Sequence, residues 1–170
     1  MNKAEAHIQL FDRLDIPEIT VSFEELGWNK PAQQYERYLM EQAFKIRDVY
    51  VASLDGHFSG YLTICWHSGY APFRDRKIPE IMDFNVLPKY RRMGIGTQLM
   101  DRAEAEIVKV SPVAGIGVGM TPDYGAAQRL YVLRGYIPDG NGLHYLGRPI
   151  QYGNTIKVDD NLALYLTKEL

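Results

Sequence analysis

The feature that most constrains the fold is a basic, glycine-containing loop between a strand and a helix. The strand pattern that starts at Glu80 stops at Pro88, because proline has no N–H to donate to a sheet. From Ile95 onward, apolar residues recur at helical spacing. The loop therefore leads into a helix N-terminus, where the first amides lack partners within the helix and the dipole is positive. This arrangement predicts a site for a phosphate or pyrophosphate group.

The composition of this loop supports the same prediction. Arg91 and Arg92 add two positive charges, and the glycines at 94 and 96 let the backbone approach a ligand closely. The loop matches neither common nucleotide motif, because position 99 is leucine where a Rossmann fingerprint needs glycine, and the loop does not end in Gly-Lys-Ser/Thr as a P-loop does. Taken by itself, the segment is also compatible with a plain tight turn into a helix.

The remaining patterns predict a mixed α/β fold. In chain order, the predicted elements are helices over 16–28 and 31–47, strands over 49–54 and 58–66, a loop over 69–77, a strand over 80–87, a helix over 95–110, a strand over 113–120, a helix over 121–134 and a final strand over 162–167. Asp55-Gly56 is a strong hairpin signal between the first two strands. This order predicts one domain over residues 1–170, built on a mixed sheet with helices on both faces.

Composition and charge exclude several classes of protein. The chain has 170 residues, 46% of them hydrophobic and 24% charged, which excludes a disordered or fibrous protein. A net charge of −2 gives no reason to expect a nucleic-acid or membrane partner. The first nine residues are polar, and no apolar run reaches the ~20 residues of a membrane span. We therefore expect a cytoplasmic protein.

Two segments together resemble a known family. Residues 127–136 predict a helix that presents Tyr131 and ends at Gly135 before an aromatic residue. This segment resembles the second motif of the GNAT superfamily of N-acetyltransferases. The sequence Arg91-x-x-Gly94-x-Gly96, after a strand that stops at Pro88, resembles the family's acetyl-CoA signature. The two motifs stand in the family's order.

The resemblance implies a fold and an activity. The implied fold is a central mixed, mostly antiparallel, twisted sheet with helices on both faces and with strands splayed at the CoA slot. The implied activity is transfer of an acetyl group from acetyl-CoA to the primary amine of a small molecule or peptide, by direct attack in a ternary complex and without a metal. A homodimer is left open. Residues 1–60 hold ten acidic and six basic side chains, which favours a cationic acceptor.

The resemblance also implies site residues. The positions implied to bind acetyl-CoA are Phe84, Asn85, Val86, Arg91, Arg92, Met93, Gly94, Ile95, Gly96, Thr97, Tyr124 and Ala127. Residues 91–97 would wrap the pyrophosphate through backbone amides. Residues 84–86 would pair with the pantetheine like an added strand, and one of their amides would stabilise the oxyanion. Tyr131 would be the general acid, and the chain departs from the family at Tyr124, where Asn is common.

The chemistry also needs a group that takes a proton from the acceptor amine. Glu80 and Asp83 lie on the strand before the loop, and a carboxylate there is costly to bury unless it is paired or faces a cleft. Glu80 is preferred as the catalytic base, because it lies fourteen residues before Gly94, as the catalytic Glu of the histone-acetylating branch does. Asp83 and a water chain are the alternatives. A structural alternative makes Glu80 an exposed carboxylate at a strand start, paired with Lys77 or Arg74.

Other residues have open or structural interpretations. Gly115, Gly117 and Gly119 either leave a slot for pantetheine or serve only packing. Cys65 is expected in the core, His7 in a frayed terminus, and the histidines at 57, 67 and 144 lack metal-ligand spacing, so no metal site is expected. By resemblance to family acceptor pockets, the candidates to line or close the acceptor cleft are Trp28, Trp66, His67, Tyr70, Phe73, Tyr145 and Tyr152. Both tryptophans are equally compatible with a core position.

Two further functions remain as alternatives to the acetyltransferase. A non-catalytic, regulatory CoA-binding module would keep the loop but show no turnover. A binder of an unrelated nucleotide would use Gly94 and Gly96 and would be stabilised by ATP or NAD but not by CoA.

Overall fold

The computed structural model describes residues 5–170, which form eight β-strands and five α-helices. In chain order these are β1 (His7–Leu10), α1 (Ile16–Glu24), α2 (Ala32–Ala43), β2 (Arg47–Leu54), β3 (His57–Cys65), α3 (Ala71–Asp75), β4 (Glu80–Val86), α4 (Ile95–Ile107), β5 (Val113–Gly119), α5 (Gly125–Leu133), β6 (Ile137–Tyr145), β7 (Arg148–Pro149) and β8 (Leu162–Glu169). The described residues divide into two compact units. The first contains the residues up to Trp66 and Met82–Glu106, and the second contains His67–Ile81 and Ile107–Leu170. The expectation of one domain stays a prediction.

The first unit contains an antiparallel strand set covered by aromatic side chains. Strand β2 pairs with β1 on one side and with β3 on the other, and β4 follows β3 in the strand order. The β2–β3 hairpin turns at Asp55 (φ +52°) and Gly56 (φ +79°), as the sequence predicts. The core places helix residues Phe23 and Tyr35 against Tyr61 of β3. Helices α1 and α2 are therefore held to the sheet mainly by buried rings.

The second unit is a mixed set of strands. The first two residues of β4 pair in parallel with β5, with Glu80 opposite Gly115 and Ile81 opposite Ile116. Strand β5 pairs antiparallel with β8 over its whole length, β8 pairs antiparallel with β6, and β6 with β7. The prediction of a mixed, mostly antiparallel sheet in an α/β fold is confirmed. The splay at a CoA slot stays a prediction.

Three local predictions are wrong. Helix α2 ends at Ala43 and not at 47, because Lys45 adopts a positive φ of +56° and β2 already begins at Arg47. The predicted loop over 69–77 contains helix α3. The N-terminal segment is not frayed at His7, because β1 pairs with β2 there. Among residues 5–170, no helix is both long and apolar enough to cross a bilayer.

Candidate functional site

The loop before α4 lies in the first unit and has an irregular backbone conformation. After a single 3₁₀ turn over Pro88–Tyr90, Arg91 is extended, whereas Arg92 (φ +65°) and Gly94 (φ +86°) adopt left-handed conformations. Alternation of this kind turns successive N–H groups toward one side and makes a site for an anion. Helix α4 then begins at Ile95, so its unpartnered first amides lie next to the loop.

The end of β4 packs directly against this helix start. A β carbon on Gly96 would lie 3.1 Å from Cζ of Phe84 and 3.6 Å from Cγ2 of Val86, so only glycine allows this close approach without a shift of the ring. The Arg91 Nε donates to the carbonyl oxygen of Val86 (3.2 Å), and its guanidinium group is exposed. The first unit therefore brings together the two segments expected to bind acetyl-CoA there, residues 84–86 and 91–97.

Strand β4 is also approached by Gly60 on β3, a position that sequence reasoning did not single out. A β carbon on Gly60 would lie 2.5 Å from the carbonyl oxygen of Asn85 and 3.1 Å from Cα of Val86. The backbones of β3 and β4 therefore meet closely at the segment expected to pair with pantetheine. The amide of Leu87 also donates to Ser59 of β3 (3.0 Å), which fixes the strand end.

Asp83 occupies the centre of a polar cluster in the first unit. It interrupts β4 with a positive φ of +46°. Its carboxylate accepts hydrogen bonds from Lys30, Gln34, Tyr38, Tyr61 and Asn85. Burial alone would raise the pKa of Asp83, but the charge of Lys30 and the hydrogen bonds from Lys30, Tyr61 and Tyr38 outweigh it and lower that pKa below its ordinary value.

Lys30 extends the same cluster toward the loop between α1 and α2. Its ammonium group lies 5.9 Å from the ring centre of Phe23 and 5.6 Å from that of Tyr61. Burial, followed by the charge of Asp83, raises the pKa of Tyr61 well above its usual value, so the phenol stays protonated as a donor. The sequence signal for this cluster was the carboxylate in β4, and it did not reveal the partners.

Glu80 is buried in the second unit. Its side chain accepts a hydrogen bond from the hydroxyl of Ser68, and the two residues are only 4% and 2% exposed. The alternative of an exposed strand-start carboxylate paired with Lys77 or Arg74 is therefore wrong. Arg74 instead forms an exposed ion pair with Asp75 (3.5 Å). Burial disfavours the charged form of a carboxyl group, whereas a hydrogen bond from a hydroxyl to the carboxylate favours it.

Four rings pack beside Glu80 in the second unit. Tyr70 and Tyr165 are stacked, with ring centres 3.6 Å apart and planes 3° from parallel. Phe73 and His144 meet both tyrosines edge-on. Burial, followed by the charges of Glu80 and Asp139, raises the pKa of Tyr165 to about 12. Tyr165 is therefore neutral at physiological pH.

The glycines of β5 make room for rings. A β carbon on Gly115 would overlap the ring of Phe73, one on Gly117 would lie 3.0 Å from Cε1 of Tyr165, and one on Gly119 would lie 2.5 Å from Cε2 of Tyr124. Because these positions alternate, all three rings cover one face of the strand. The packing interpretation of the three glycines is the one that these contacts support.

Tyr131, Ala127 and Tyr124 lie on or just before α5 in the second unit. Tyr131 is 5% exposed, and burial, followed by the nearby Tyr124, raises its pKa. Tyr124 stands where Asn is common in the family. Its ring packs on Gly119 of β5, and its hydroxyl donates to Asp160 (3.2 Å) in the segment before β8. Ala127 is half-buried on α5. The helix is tied to β5 by Gln128, whose amide donates to the carbonyl of Gly119 (2.8 Å).

The residues suggested for an acceptor cleft have different environments. Tyr70 and Phe73 are buried, at 3% and 1% exposure, and belong to the core of the second unit. Trp28 is partly exposed and stacks on Phe23 at 5.7 Å. Trp66 is half-buried and His67 is exposed. The remaining two differ from each other, because Tyr145 donates to Asp159 (3.2 Å) whereas Tyr152 is fully exposed.

Cys65 and His144 pack within the protein. Cys65 is buried in β3 and forms no disulfide, and its burial is as expected. The ring of His144 packs against Tyr70, and its Nδ1 lies 3.2 Å from the carbonyl oxygen of Gly142. Within residues 5–170, no group of three or more His, Cys, Asp and Glu side chains could hold a metal ion.

Comparison with known proteins agrees with this geometry. Residues 15–136 match the profile of the acetyltransferase (GNAT) family. An uncharacterized N-acetyltransferase of Archaeoglobus fulgidus is 36% identical over 74 residues, which are 43% of this chain and 50% of the relative. The match thus spans about half the length of that curated relative.

Two solved structures share the fold over almost the whole chain. An N-acetyltransferase of Staphylococcus aureus Mu50 superposes with a TM-score of 0.71 at 15% identity, over 97% of this chain and 98% of the other. A putative acetyltransferase of Salmonella typhimurium, solved with its cofactor acetyl-CoA, superposes with a TM-score of 0.69 at 17% identity, over 96% and 93%. At these identities the likeness establishes the fold.

Proposed function

The chain belongs to the acetyltransferase (GNAT) family, and from this membership we propose that it transfers an acetyl group from acetyl-CoA to a primary amine of a small molecule or peptide. The observation that carries the proposal is the loop over 91–97, in which left-handed Arg92 and Gly94 precede the thirteen-residue helix α4. Backbone amides, a helix dipole and two guanidinium groups there suit a pyrophosphate group.

Acetyl-CoA, as a substrate, would be held by three groups of residues. Residues 91–97 would bind its pyrophosphate. Residues 84–86 would offer backbone groups to the pantetheine arm, and one of their amides would stabilise the charge that develops on the thioester oxygen. Ala127 and the ring of Tyr124 would flank the arm. The hydroxyl of Tyr124 is already bonded to Asp160, so this residue would contribute contact area in place of the amide of the usual Asn.

We assign the base to Glu80 and not to Asp83. Asp83 accepts hydrogen bonds from five side chains, and its pKa lies below the ordinary value, so it is a poor proton acceptor at neutral pH. Glu80 is buried and held by a neutral hydroxyl, that of Ser68. A carboxylate in such an environment can remain ionised and still bind a proton.

The reaction then balances without a covalent enzyme intermediate. Glu80 takes a proton from the acceptor ammonium group, and the free amine nitrogen bonds to the thioester carbonyl carbon. The carbon–sulfur bond breaks as the tetrahedral intermediate collapses, and Tyr131 donates its phenolic proton to the leaving thiolate. Because the pKa of Tyr131 is raised, this proton is present at neutral pH. The second proton on the former amine nitrogen passes to water, which leaves the neutral amide. Proton exchange with water restores both side chains.

The proposal is tested by measuring thiol release from acetyl-CoA across a panel of amines that includes monoamines, polyamines and lysine-containing peptides. Amine-dependent thiol release with acetylated product is expected. Tight CoA binding with no turnover on any amine would instead support the regulatory module. Thermal stabilisation by ATP or NAD but not by CoA would support the unrelated nucleotide binder.

The cytoplasmic location and the absence of nucleic-acid or membrane partners stay predictions of the sequence, and a homodimer stays open.

A further inference from the structure

We infer that Ser68 is a positioning residue that aims its hydroxyl proton at Glu80 and holds this carboxylate in its proton-accepting form. The inference rests on the role proposed for Glu80 and extends it to a residue outside both family motifs. The contact is a hydrogen bond from the Ser68 hydroxyl to Oε2 of Glu80. Both side chains are almost completely buried.

A third group supports the direction of this hydrogen bond. The backbone N–H of Tyr70 donates to the hydroxyl oxygen of Ser68 (3.0 Å). That amide occupies one of the two lone pairs of the oxygen, and because an ionised carboxylate has no proton to donate, the hydroxyl proton points at ionised Glu80. Ser68 is therefore a donor to the carboxylate. A donor stabilises the ionised form of a buried carboxylate relative to the protonated form.

The segment that delivers Ser68 is anchored on both sides of it. Tyr70 is stacked on Tyr165 of β8, and its hydroxyl donates to Asp139 of β6 (2.8 Å). Three residues further on, Phe73 lies on the bare backbone of Gly115. These contacts hold the backbone of residues 68–73 to three strands of the second unit. The Ser68 hydroxyl is therefore preorganised, and little further conformational entropy is lost when Glu80 ionises.

The surroundings of Glu80 make this donor important. A β carbon on Gly117 would lie 3.7 Å from Oε1 of Glu80, so the carboxylate lies beside the backbone of β5. The titratable groups described near it in this unit include Tyr165 on β8, Tyr70 before α3, and Asp139 and His144 on β6. The Ser68 hydroxyl places a donor on Oε2, and loss of such a donor favours the neutral form of a buried carboxyl group.

The inference is tested by the pH dependence of kcat/KM for the wild type, Ser68→Ala and Ser68→Cys. Ser68→Ala removes the donor and should move the acid limb of the profile to higher pH by about one pH unit, with activity recovering on the alkaline side. Ser68→Cys keeps a weaker thiol donor and should give an intermediate shift. Ser111→Ala is the matched control. Ser111 is also buried, and its hydroxyl oxygen also accepts a hydrogen bond from the backbone N–H two residues later, that of Val113 (3.2 Å). Its hydroxyl donates to the carbonyl oxygen of Val113 (2.8 Å) and not to a carboxylate, so no shift of the pH profile is expected.

A uniform loss of activity at every pH, without a shift in Ser68→Ala and Ser68→Cys, would show that Ser68 has only a structural role and would overturn the inference. A second readout does not depend on turnover: the ¹³C chemical shift of the Glu80 carboxyl carbon, followed by NMR against pH. Its midpoint should rise in both Ser68 variants, and an unchanged midpoint would also overturn the inference. A wild type that acetylates no amine would refute the proposed function, while the NMR titration would still decide the Ser68–Glu80 contact.

Discussion

The ammonium group of Lys30 and the carboxylate of Asp83 form an ion pair that links the α1–α2 loop to strand β4, with only 19% and 18% of the two side chains exposed. Gln34, Tyr38 and Tyr61 donate to the same carboxylate from α2 and β3. Asp83 thus connects three elements of the first unit at the point where its positive φ interrupts β4. We interpret it as a structural anchor beside the proposed pantetheine segment.

Replacement of Lys30 tests this anchor. Lys30→Met leaves a partly buried carboxylate without its cation, and we expect a loss of about 2–4 kcal/mol in the free energy of unfolding. Urea denaturation at pH 7 measures it. Arg13→Met is the matched control, because the Arg13–Glu36 pair (2.8 Å) is 70% and 46% exposed and should contribute less than about 1 kcal/mol. Equal small losses in the two variants would contradict the anchor.

The pH dependence of stability gives a second test of Asp83. Its folded-state pKa is lowered, so its contribution is fully present above the unfolded-state pKa of about 3.9 and is lost as pH falls through the folded value. The difference in unfolding free energy between the wild type and Asp83→Asn should be constant from pH 7 to 5 and should shrink below pH 4. A difference that grows on acidification would contradict the lowered pKa.

Local signals were enough to predict much of the fold and to single out the loop that we propose as the pyrophosphate site. The Asp55-Gly56 turn and Gly135 could be predicted from the local sequence. At these positions the residue type itself favours the observed backbone conformation, such as the φ of +89° at Gly135. The loop over 91–97 is similar, because its residues are contiguous. Helix α3 was missed because its five residues are held by tertiary contacts, such as that of Phe73 with Gly115.

The partners of buried carboxylates could not be predicted in this way. Asp83 accepts hydrogen bonds from residues 30, 34, 38 and 61, and the donors to Glu80 include Ser68. Such pairings depend on how elements that are distant in the sequence pack together, and residue spacing does not predict that packing. The carboxylates in a central strand indicated only that partners had to exist, since an unpaired buried charge is costly.

The proposed pyrophosphate site predicts a role for Arg91 in affinity. Its side chain is exposed, and its Nε donates to the carbonyl oxygen of Val86, a contact that does not use the terminal guanidinium nitrogens. Arg91→Ala should weaken CoA binding by about 1–3 kcal/mol, measured by calorimetry, and binding by the variant should depend less on salt. Arg148→Ala, an exposed arginine on β7, should bind CoA normally. Unaltered affinity in Arg91→Ala would move the phosphate site elsewhere.

The acid role of Tyr131 predicts a separation between turnover and binding. Tyr131→Phe should lower kcat by about 100-fold or more while the Kd for CoA stays nearly unchanged, because the phenol acts only on the leaving thiolate. Steady-state kinetics and calorimetry measure the two quantities. Tyr136→Phe is the control, since Tyr136 is equally buried and its ring centre lies 6.2 Å from that of Tyr131. Wild-type turnover in Tyr131→Phe would eliminate the acid role.

The contact between Gly119 and Tyr124 predicts a coupled effect on stability. A β carbon on Gly119 would lie 2.5–2.8 Å from three ring atoms of Tyr124, so Gly119→Ala should cost about 1–3 kcal/mol of unfolding free energy through overpacking. Tyr124→Ala removes the ring, and in that background Gly119→Ala should cost little. The coupling energy from this double-mutant cycle should therefore exceed about 1 kcal/mol.

Gly117→Ala is the control for this packing effect. It tests whether any replacement of a glycine in β5 is destabilising or whether the cost at Gly119 comes from Tyr124. Its β carbon would meet Tyr165 and not Tyr124, so Tyr124→Ala should leave the cost of Gly117→Ala unchanged. If the glycines instead served as a slot for pantetheine, Gly119→Ala would reduce CoA affinity with little loss of stability, and the cycle with Tyr124→Ala would be additive. The coupling energy in the protein without CoA therefore decides between the packing role and the slot, because only the packing role requires the ring of Tyr124 to occupy that space.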